Sequence, residues 1–335
     1  MRPKLINMRL DFLKKTTSSQ FVLPIVSIFT VLVWVLLPFA HQCSTDQMVH
    51  GLWRFLPVEM LQTSIDRYVS VSLAALGVYL LAELNNANML LRVTSRMLSS
   101  TLAFLFALSF CLHSVQPGLV VMLFSLLSFF SLFATYRVSV PIYTFVTFAT
   151  ISVGSLFFPK LLFVIPVYWI CQAYLRSLSL RCFFASLFGT LIPYWVLLGV
   201  LVNFDGGIVL FVDICTQVIA YSMPDYSTLY ITDYMILGYV FILFFFGVVN
   251  FYQNSYYDKT RVRTLYNVVI IHGLAMLLYI LLQPQHFHTV LPLFLVDASI
   301  LGGHHLTLTY NRFTHVYSLI MLVLALALIG AQIIL

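Results

Sequence analysis

The chain has 335 residues, of which 61% are hydrophobic and only 8% are charged. Soluble globular domains carry roughly 25% charged residues, so a soluble fold of this composition would expose large apolar patches and aggregate. The formal net charge of +6 comes from basic residues scattered between apolar runs. This scatter excludes a nucleic-acid-binding patch and leaves the lipid bilayer as the surrounding medium.

Continuous apolar runs follow one another along the chain, from residues 21–40 to residues 315–335. A helix needs about 20 apolar residues to cross the hydrocarbon core, and these runs lack the alternating polarity of barrel strands. The sequence predicts an all-α polytopic transmembrane helix bundle, a single transmembrane domain over residues 1–335. We expect about eleven spans, at residues 21–40, 68–84, 98–113, 119–136, 138–158, 161–175, 183–202, 235–251, 265–282, 289–303 and 315–335. The short runs 161–175 and 289–303 could instead be re-entrant segments.

The first run follows a basic N-terminus and is longer than the 7–15 residues of a signal-peptide core, so we expect a retained first helix.

When the connections are assigned to alternate sides, 14 of the 17 Lys and Arg residues share the side of the N-terminus. Only Arg54, Arg67 and Lys160 lie on the other side. Positive residues favour the cytoplasm. Residues 1–20 are therefore predicted to be cytoplasmic, the C-terminus to be outside, and segments 41–67 and 203–234 to be outer-face loops.

Acidic residues collect in these two outer loops. The second loop contains Asp205 and Asp213 and has no Lys or Arg. Membrane glycosyltransferases that use lipid-linked sugars often place a base or metal ligand in such loops, so Asp205 and Asp213 are candidate catalytic residues. The alternative is that acids are simply tolerated where basic residues are depleted. The other acids of the two loops are Asp46, Glu59, Asp66, Asp225 and Asp233.

Asp297 lies inside the apolar run 289–303. A charged residue at the centre of a spanning helix costs about 2.5–3.5 kcal/mol on insertion scales, so it tends to face a cavity or a partner. We predict that Asp297 faces the bundle interior and contacts a polar group, with His272, Arg263 and Arg312 as candidate partners. Such a pair would suit a proton or substrate path, and Asp297 is the third candidate catalytic residue. A purely structural hydrogen bond is the alternative.

The nine histidines and five cysteines do not form a recognisable metal motif. No CxxC spacing occurs, and the pairs His286/His288 and His304/His305 lie at opposite ends of one span. We predict no metal site and assign no cofactor. Cys43 and Cys215 fall in the two outer loops, where they could form a disulfide, although unpaired thiols are the simpler expectation.

Three segments carry a resemblance to a known family. The Asn-rich link ELNNAN and the helix after it (83–109), the Pro-containing hairpin and basic link (157–195) and the run 288–306 are similar to segments of a family of Bacteroidota multi-pass membrane proteins. The resemblance implies a bacterial inner-membrane location and supplies no catalytic residue. A carotene-oxygenase activity has been ascribed to some members, but this chain lacks the multi-histidine iron site that such chemistry needs.

Two classes of function remain. The absence of nucleotide-binding and hydrolase motifs favours a non-catalytic component of envelope assembly or transport. The alternative is a glycosyltransferase-like or polymerase-like enzyme that acts on lipid-linked sugars at the outer face. The expected partners are the lipid bilayer, a lipid-linked substrate in the second case and another membrane protein in the first, with no nucleic acid.

Overall fold

The computed structural model describes residues 21–36, 51–55, 64–93, 95–220, 223–308 and 312–334. Over these ranges the chain is helical and has no β-strand. Twelve α-helices lie in the described ranges: α1 (Val22–Leu36), α2 (Ser64–Asn88), α3 (Met97–Leu108), α4 (Pro117–Ala134), α5 (Pro141–Phe157), α6 (Ile165–Tyr174), α7 (Leu180–Leu201), α8 (Gly207–Ile219), α9 (Ile231–Asn254), α10 (Thr260–Leu282), α11 (Phe287–Leu308) and α12 (Arg312–Ile334).

The predicted all-helical fold is confirmed for the described residues. Each of the eleven predicted runs overlaps an α-helix, and seven helices are long and apolar enough to cross a membrane: α2, α4, α7, α9, α10, α11 and α12. The run 289–303 belongs to a helix of 22 residues, which is long enough to span. The run 161–175 is divided between a 3₁₀ segment, Pro159–Val164, and a helix of only ten residues.

The centre of the bundle is α11. It packs against α3, α4, α9 and α10, and 94% of its most apolar stretch of 18 residues is buried inside the protein. A spanning helix that is apolar all round and surrounded by other helices has little contact with lipid. Any polar side chain on α11 therefore faces protein, which is the setting in which an ionisable residue needs a partner.

Glycine allows the neighbouring helices to approach α11 closely. A Cβ atom on Gly303 would lie 2.9 Å from the Cα of Leu98 on α3, and one on Gly118 of α4 would lie 2.7 Å from the carbonyl oxygen of His288. That carbonyl precedes Pro292 by four residues, so the helix supplies no N–H to it. Small residues at such crossings increase van der Waals contact where lipid gives no hydrophobic driving force.

The predicted outer loop 203–234 is more ordered than a loop. It contains α8, and α9 begins at Ile231. α8 is a helix of 13 residues within this predicted loop. It packs on α7 and on the 159–164 turn, and its buried residues are Gly207 and Ile214. Val209 and Ile219 are exposed, and Asp213 is partly buried. The first predicted loop, 41–67, is described only at residues 51–55 and from residue 64 onward.

Candidate functional site

Asp297 and His272 meet in the middle of the bundle. Asp297 is on α11, the most enclosed helix, and His272 is on α10, which packs beside it. Next to His272, Gly273 leaves room for this approach, since a Cβ there would be 3.1 Å from the Cβ of Asp297. Exposure is 0% for Asp297 and 1% for His272. The predicted interior position of Asp297 and its contact with His272 are thus confirmed.

A short hydrogen bond joins the two side chains, with 2.7 Å between His272 Nδ1 and Asp297 Oδ2. The other two polar atoms of the pair, His272 Nε2 and Asp297 Oδ1, are buried and make no hydrogen bond with the protein. Of the other expected partners, Arg263 donates to Thr260, and the Arg312 side chain lies outside the described residues. The pair can therefore hold one proton between its bonded atoms and still present two atoms, His272 Nε2 and Asp297 Oδ1, that can accept a further proton.

Aromatic rings enclose the imidazole. Phe129 and Tyr168 each meet the His272 ring edge-to-face, with ring centroids 5.0 and 5.7 Å away. The Tyr168 hydroxyl shares a hydrogen bond of 2.7 Å with Ser128 Oγ on α4. This packing fixes the orientation of the ring and keeps the pair in an apolar medium, where an ion pair or a proton interacts much more strongly than in water.

Two further pairings of a histidine with an acid lie near the ends of α11. Towards its N-terminal end, His288 Nε2 is 3.7 Å from Asp233 Oδ2 of α9. Near its C-terminal end, His304 Nε2 is 3.4 Å from Asp258 Oδ2, in the link between α9 and α10. Both separations exceed the ordinary hydrogen-bond range, so these are electrostatic contacts. One buried helix thus carries an acid–histidine contact at three levels.

The outer-loop acids do not join the Asp297 site. Asp205 is exposed, and Asp213 accepts a hydrogen bond from Gln217 on its own helix. Asp66 accepts a hydrogen bond from the Val115 backbone, and Asp225 caps the turn at Ser227. Asp46 and Glu59 lie outside the described residues. The structure therefore does not bring Asp205 or Asp213 into one cluster with Asp297.

The cysteines differ from the sequence expectation. Cys215 has a free thiol, as the simpler expectation predicts, so the alternative disulfide with Cys43 is wrong. Cys111 is disulfide-bonded. The Cys111 sulfur, Asp233 and His288 place ligand atoms within 4.8 Å of one another, the one such group found among the described residues. A sulfur in a disulfide is not a thiolate ligand, so this donor set does not fit a metal ion as it stands.

Sequence reasoning missed the contacts of Asp258. Arg92 donates a hydrogen bond from Nε to Asp258 Oδ1, and His304 approaches Oδ2 of the same carboxylate. In the sequence, Arg92 and Asp258 belong to two separate polar links that need no partner, and His304 was weighed only as a metal ligand. One feature of the sequence could have indicated this contact: the alternation of spans places Arg92, Asp258 and His304 on the same side of the membrane as the N-terminus.

Comparison of the chain with protein-family models, with curated proteins and with solved structures finds no match.

Proposed function

We propose that this chain is a multi-pass component of a bacterial inner membrane that serves envelope assembly or transport and moves protons through the His272–Asp297 pair. The observation that carries the proposal is the hydrogen bond of 2.7 Å between two fully enclosed ionisable groups on adjacent helices. Ionisable residues inside membrane bundles are rare and expensive, and they commonly mark ion or proton pathways.

The proposed arrangement in the membrane has about eleven spans, with the N-terminus in the cytoplasm. The support is the bias of Lys and Arg residues and the correspondence of every predicted run with a helix. The resemblance of residues 83–109, 157–195 and 288–306 to a Bacteroidota membrane family supports the bacterial location. Asp297 then lies within the penultimate span, away from both aqueous phases.

A purely structural role explains the pair less well. A buried ion pair often stabilises a fold less than apolar residues of the same size would, because both charges lose their hydration. Two unpartnered atoms, His272 Nε2 and Asp297 Oδ1, add to that cost. Groups that bind and release a proton need an atom free to accept it, so these atoms have a use in proton movement that they lack in a structural pair.

The enzyme alternative has less support among the described residues. Its candidate acids, Asp205 and Asp213, are on α8 or just before it, and α8 packs on α7 and the 159–164 turn. A cavity of about 10 Å³ lies between α4, α10 and α11, and its lining is mainly aliphatic and aromatic, including Val121, Met276 and Leu293. Sites for small ligands usually enclose 300–1,000 Å³ and contain convergent polar groups.

The proposal is tested by proton flux into vesicles. Purified protein is reconstituted with the pH-sensitive dye pyranine inside, and an inward proton gradient is imposed with valinomycin and potassium holding the potential at zero. We expect the intact protein to acidify the vesicles faster than protein-free controls. Asp297→Asn should reduce the rate to the control level, whereas Asp225→Asn, at an exposed turn, should leave it unchanged.

Two results would contradict the proposal: an intact protein no faster than protein-free vesicles, or an Asp297→Asn variant as fast as the intact protein. Mass spectrometry of lipids bound to protein purified from native membranes addresses the alternative. A stoichiometric lipid-linked sugar would favour the enzyme over the proton-moving component.

A further inference from the structure

The Arg92 cluster lies near the C-terminal end of α11. It consists of Arg92 from the link after α2, Asp258 from the link between α9 and α10, Tyr266 from α10 and His304 from α11. Asp258, Tyr266 and His304 are at least nine-tenths buried, whereas the Arg92 side chain is 34% exposed. The cluster thus extends from the interior of the bundle to one of its ends, where the Arg92 guanidinium is partly exposed.

Asp258 is the centre of this cluster. Its Oδ1 accepts a hydrogen bond from Arg92 Nε, and its Oδ2 lies 3.4 Å from His304 Nε2. Arg92 also donates to the carbonyl oxygen of Asn254, and its guanidinium lies over the Tyr257 ring, 5.3 Å from the centroid. One carboxylate is therefore shared between a permanent cation and a group that gains or loses a proton.

Several polar atoms of the cluster are buried without a hydrogen-bond partner in the protein. They are Asp258 Oδ2, the Tyr266 hydroxyl and both ring nitrogens of His304. The Tyr266 ring packs edge-to-face on the His304 ring, with centroids 4.6 Å apart. Buried polar atoms are normally paired, so this cluster, in which only Asp258 Oδ2 and His304 Nε2 approach each other, can take up a proton or a hydrogen-bonding water molecule.

The cluster and the central pair share one face of α11. His304 follows Asp297 by seven residues, which is about two turns, or roughly 10 Å along the axis, with a rotation of only about 20°. Tyr266 and His272 belong to the neighbouring α10, so α10 and α11 together supply groups at both levels. A protonable group at each level, on facing helices, is the arrangement that a proton path needs.

We infer that the Arg92 cluster is a second proton-binding site, at the cytoplasmic end of the path that begins at His272–Asp297. The inference rests on the proposed function and names where the proton leaves. A proton released by the central pair reaches His304 through water and converts its imidazole to imidazolium. The imidazolium then competes with Arg92 for Asp258. Transfer of the proton to water beside the exposed guanidinium returns His304 to the neutral form and Asp258 to Arg92.

Two further ionisable side chains lie next to the cluster, Arg261 and His305. On α10, Arg261 donates to Asn88 Oδ1 at the end of α2, so that cation has a partner of its own. On α11, the adjacent His305 also has two buried ring nitrogens without a hydrogen-bond partner, and its ring packs against Tyr317 of α12, with ring centroids 5.1 Å apart. Arg92 is therefore the cation bonded to Asp258, and His304 is the histidine in contact with it.

The two neighbouring histidines provide a matched pair of variants for the vesicle assay. We expect His304→Gln to lower the proton flux to the level of protein-free vesicles. His305→Gln, at an equally buried position on the same helix, should leave the flux within about twofold of the intact protein. Thermal unfolding in detergent shows whether both variants are folded before they are compared.

Arg92 supplies a second variant at a partly exposed position, which keeps the test decisive if His304→Gln does not fold. Arg92→Gln should lower the flux about tenfold, because one charge-assisted bond to Asp258 is lost and the proton is retained on His304. Arg92→Lys should restore most of it. A His304→Gln or Arg92→Gln flux equal to that of the intact protein would overturn the inference and leave the proposed function standing. An intact protein without flux would overturn the proposed function itself.

Discussion

At the scale of single residues, burial of Asp297 and His272 lowers the free energy of unfolding, and we expect that only removal of both side chains recovers this loss. Each group is almost completely buried, and each is the hydrogen-bond partner of the other. When one partner is removed, the other remains as an unpaired polar group in an apolar medium, which is far more costly than an apolar core. The two side chains are therefore coupled in stability as well as in the proposed proton movement.

This coupling predicts a pattern in a double-mutant cycle. Asp297→Leu alone should destabilise the protein by about 3–5 kcal/mol, the usual effect of breaking a buried pair. Asp297→Asn should be milder, since the amide can still bond to the imidazole. The double variant His272→Leu/Asp297→Leu should recover most of the loss. Thermal unfolding in detergent measures all four proteins, and additive losses in the double variant would argue against coupling.

Asp258 gives a dependence of stability on pH. Burial raises its pKa, but His304 and Arg92 outweigh burial and hold the pKa below its ordinary value. A carboxyl group whose pKa is lower in the folded state contributes stability above its unfolded pKa, and this contribution is lost as the pH falls through the folded pKa.

We therefore expect the melting temperatures of the intact protein and of Asp258→Asn to differ most above about pH 5, well above the unfolded pKa of roughly 3.9. The difference should shrink as the pH falls below the unfolded pKa and through the lower folded pKa, where the intact side chain also becomes neutral. Unfolding curves collected over this range in one detergent provide the measurement. A difference that stays constant with pH would show that the carboxylate charge is not what stabilises the fold.

At the scale of elements, the contact between α3 and α11 depends on the absence of a side chain at residue 303. A Cβ atom there would stand 2.9 Å from the Cα of Leu98, and backbone cannot rotate away as a flexible side chain can. Gly303→Val should therefore destabilise the protein by about 1–3 kcal/mol.

Gly330 on α12 is the matched control for this substitution. It has no atom within 4 Å of the Cβ position, so Gly330→Val should change the unfolding temperature little. Equal effects at the two positions would indicate that helix propensity, and not the crossing with α3, is responsible.

Sequence patterns predicted the helices well and their continuity less well. The run 161–175 was predicted as a possible span, yet Pro159 begins a 3₁₀ segment and α6 starts only at Ile165. The run 289–303 contains Pro292 but is part of an unbroken helix, because proline is tolerated in a membrane helix when neighbouring helices pack around it. Whether a proline breaks a helix depends on tertiary contacts that hydropathy does not report.

The site was predictable to a similar extent. An acid in the centre of an apolar run has no solvent, so the need of Asp297 for a polar partner followed from its position alone. The Arg92–Asp258 contact could not be foreseen in the same way, since residues in polar links have water as an alternative partner. Arg92 and Asp258 are also 166 positions apart in the sequence, so their proximity depends on how α2, α9 and α10 pack.

At the scale of the whole molecule, the distribution of positive residues predicts the orientation in the membrane. Reporter fusions at Asn88, Asp225 and Leu335 should give a cytoplasmic signal at the first position and an outer signal at the other two. Alkaline phosphatase, active outside, and green fluorescent protein, fluorescent inside, provide opposite readouts. A cytoplasmic signal at Asp225 or Leu335 would contradict the orientation and the odd number of spans.

The proton path also requires that the bundle acts as one unit. α11 contacts four helices, and its pairings with Asp233, His272 and Asp258 reach elements separated widely in the sequence. A change of charge at one level can therefore alter the packing of several helices.

The most direct measurement of the central claim is the proton flux of the exchanged pair, His272→Asp/Asp297→His, in the vesicle assay. The exchange keeps one acid and one imidazole at the same two positions. If the pair moves protons, each single substitution should lower the flux to that of protein-free vesicles, and the double exchange should restore a large part of it. Single variants that conduct as fast as the intact protein, or a folded double exchange as inactive as they are, would contradict the account.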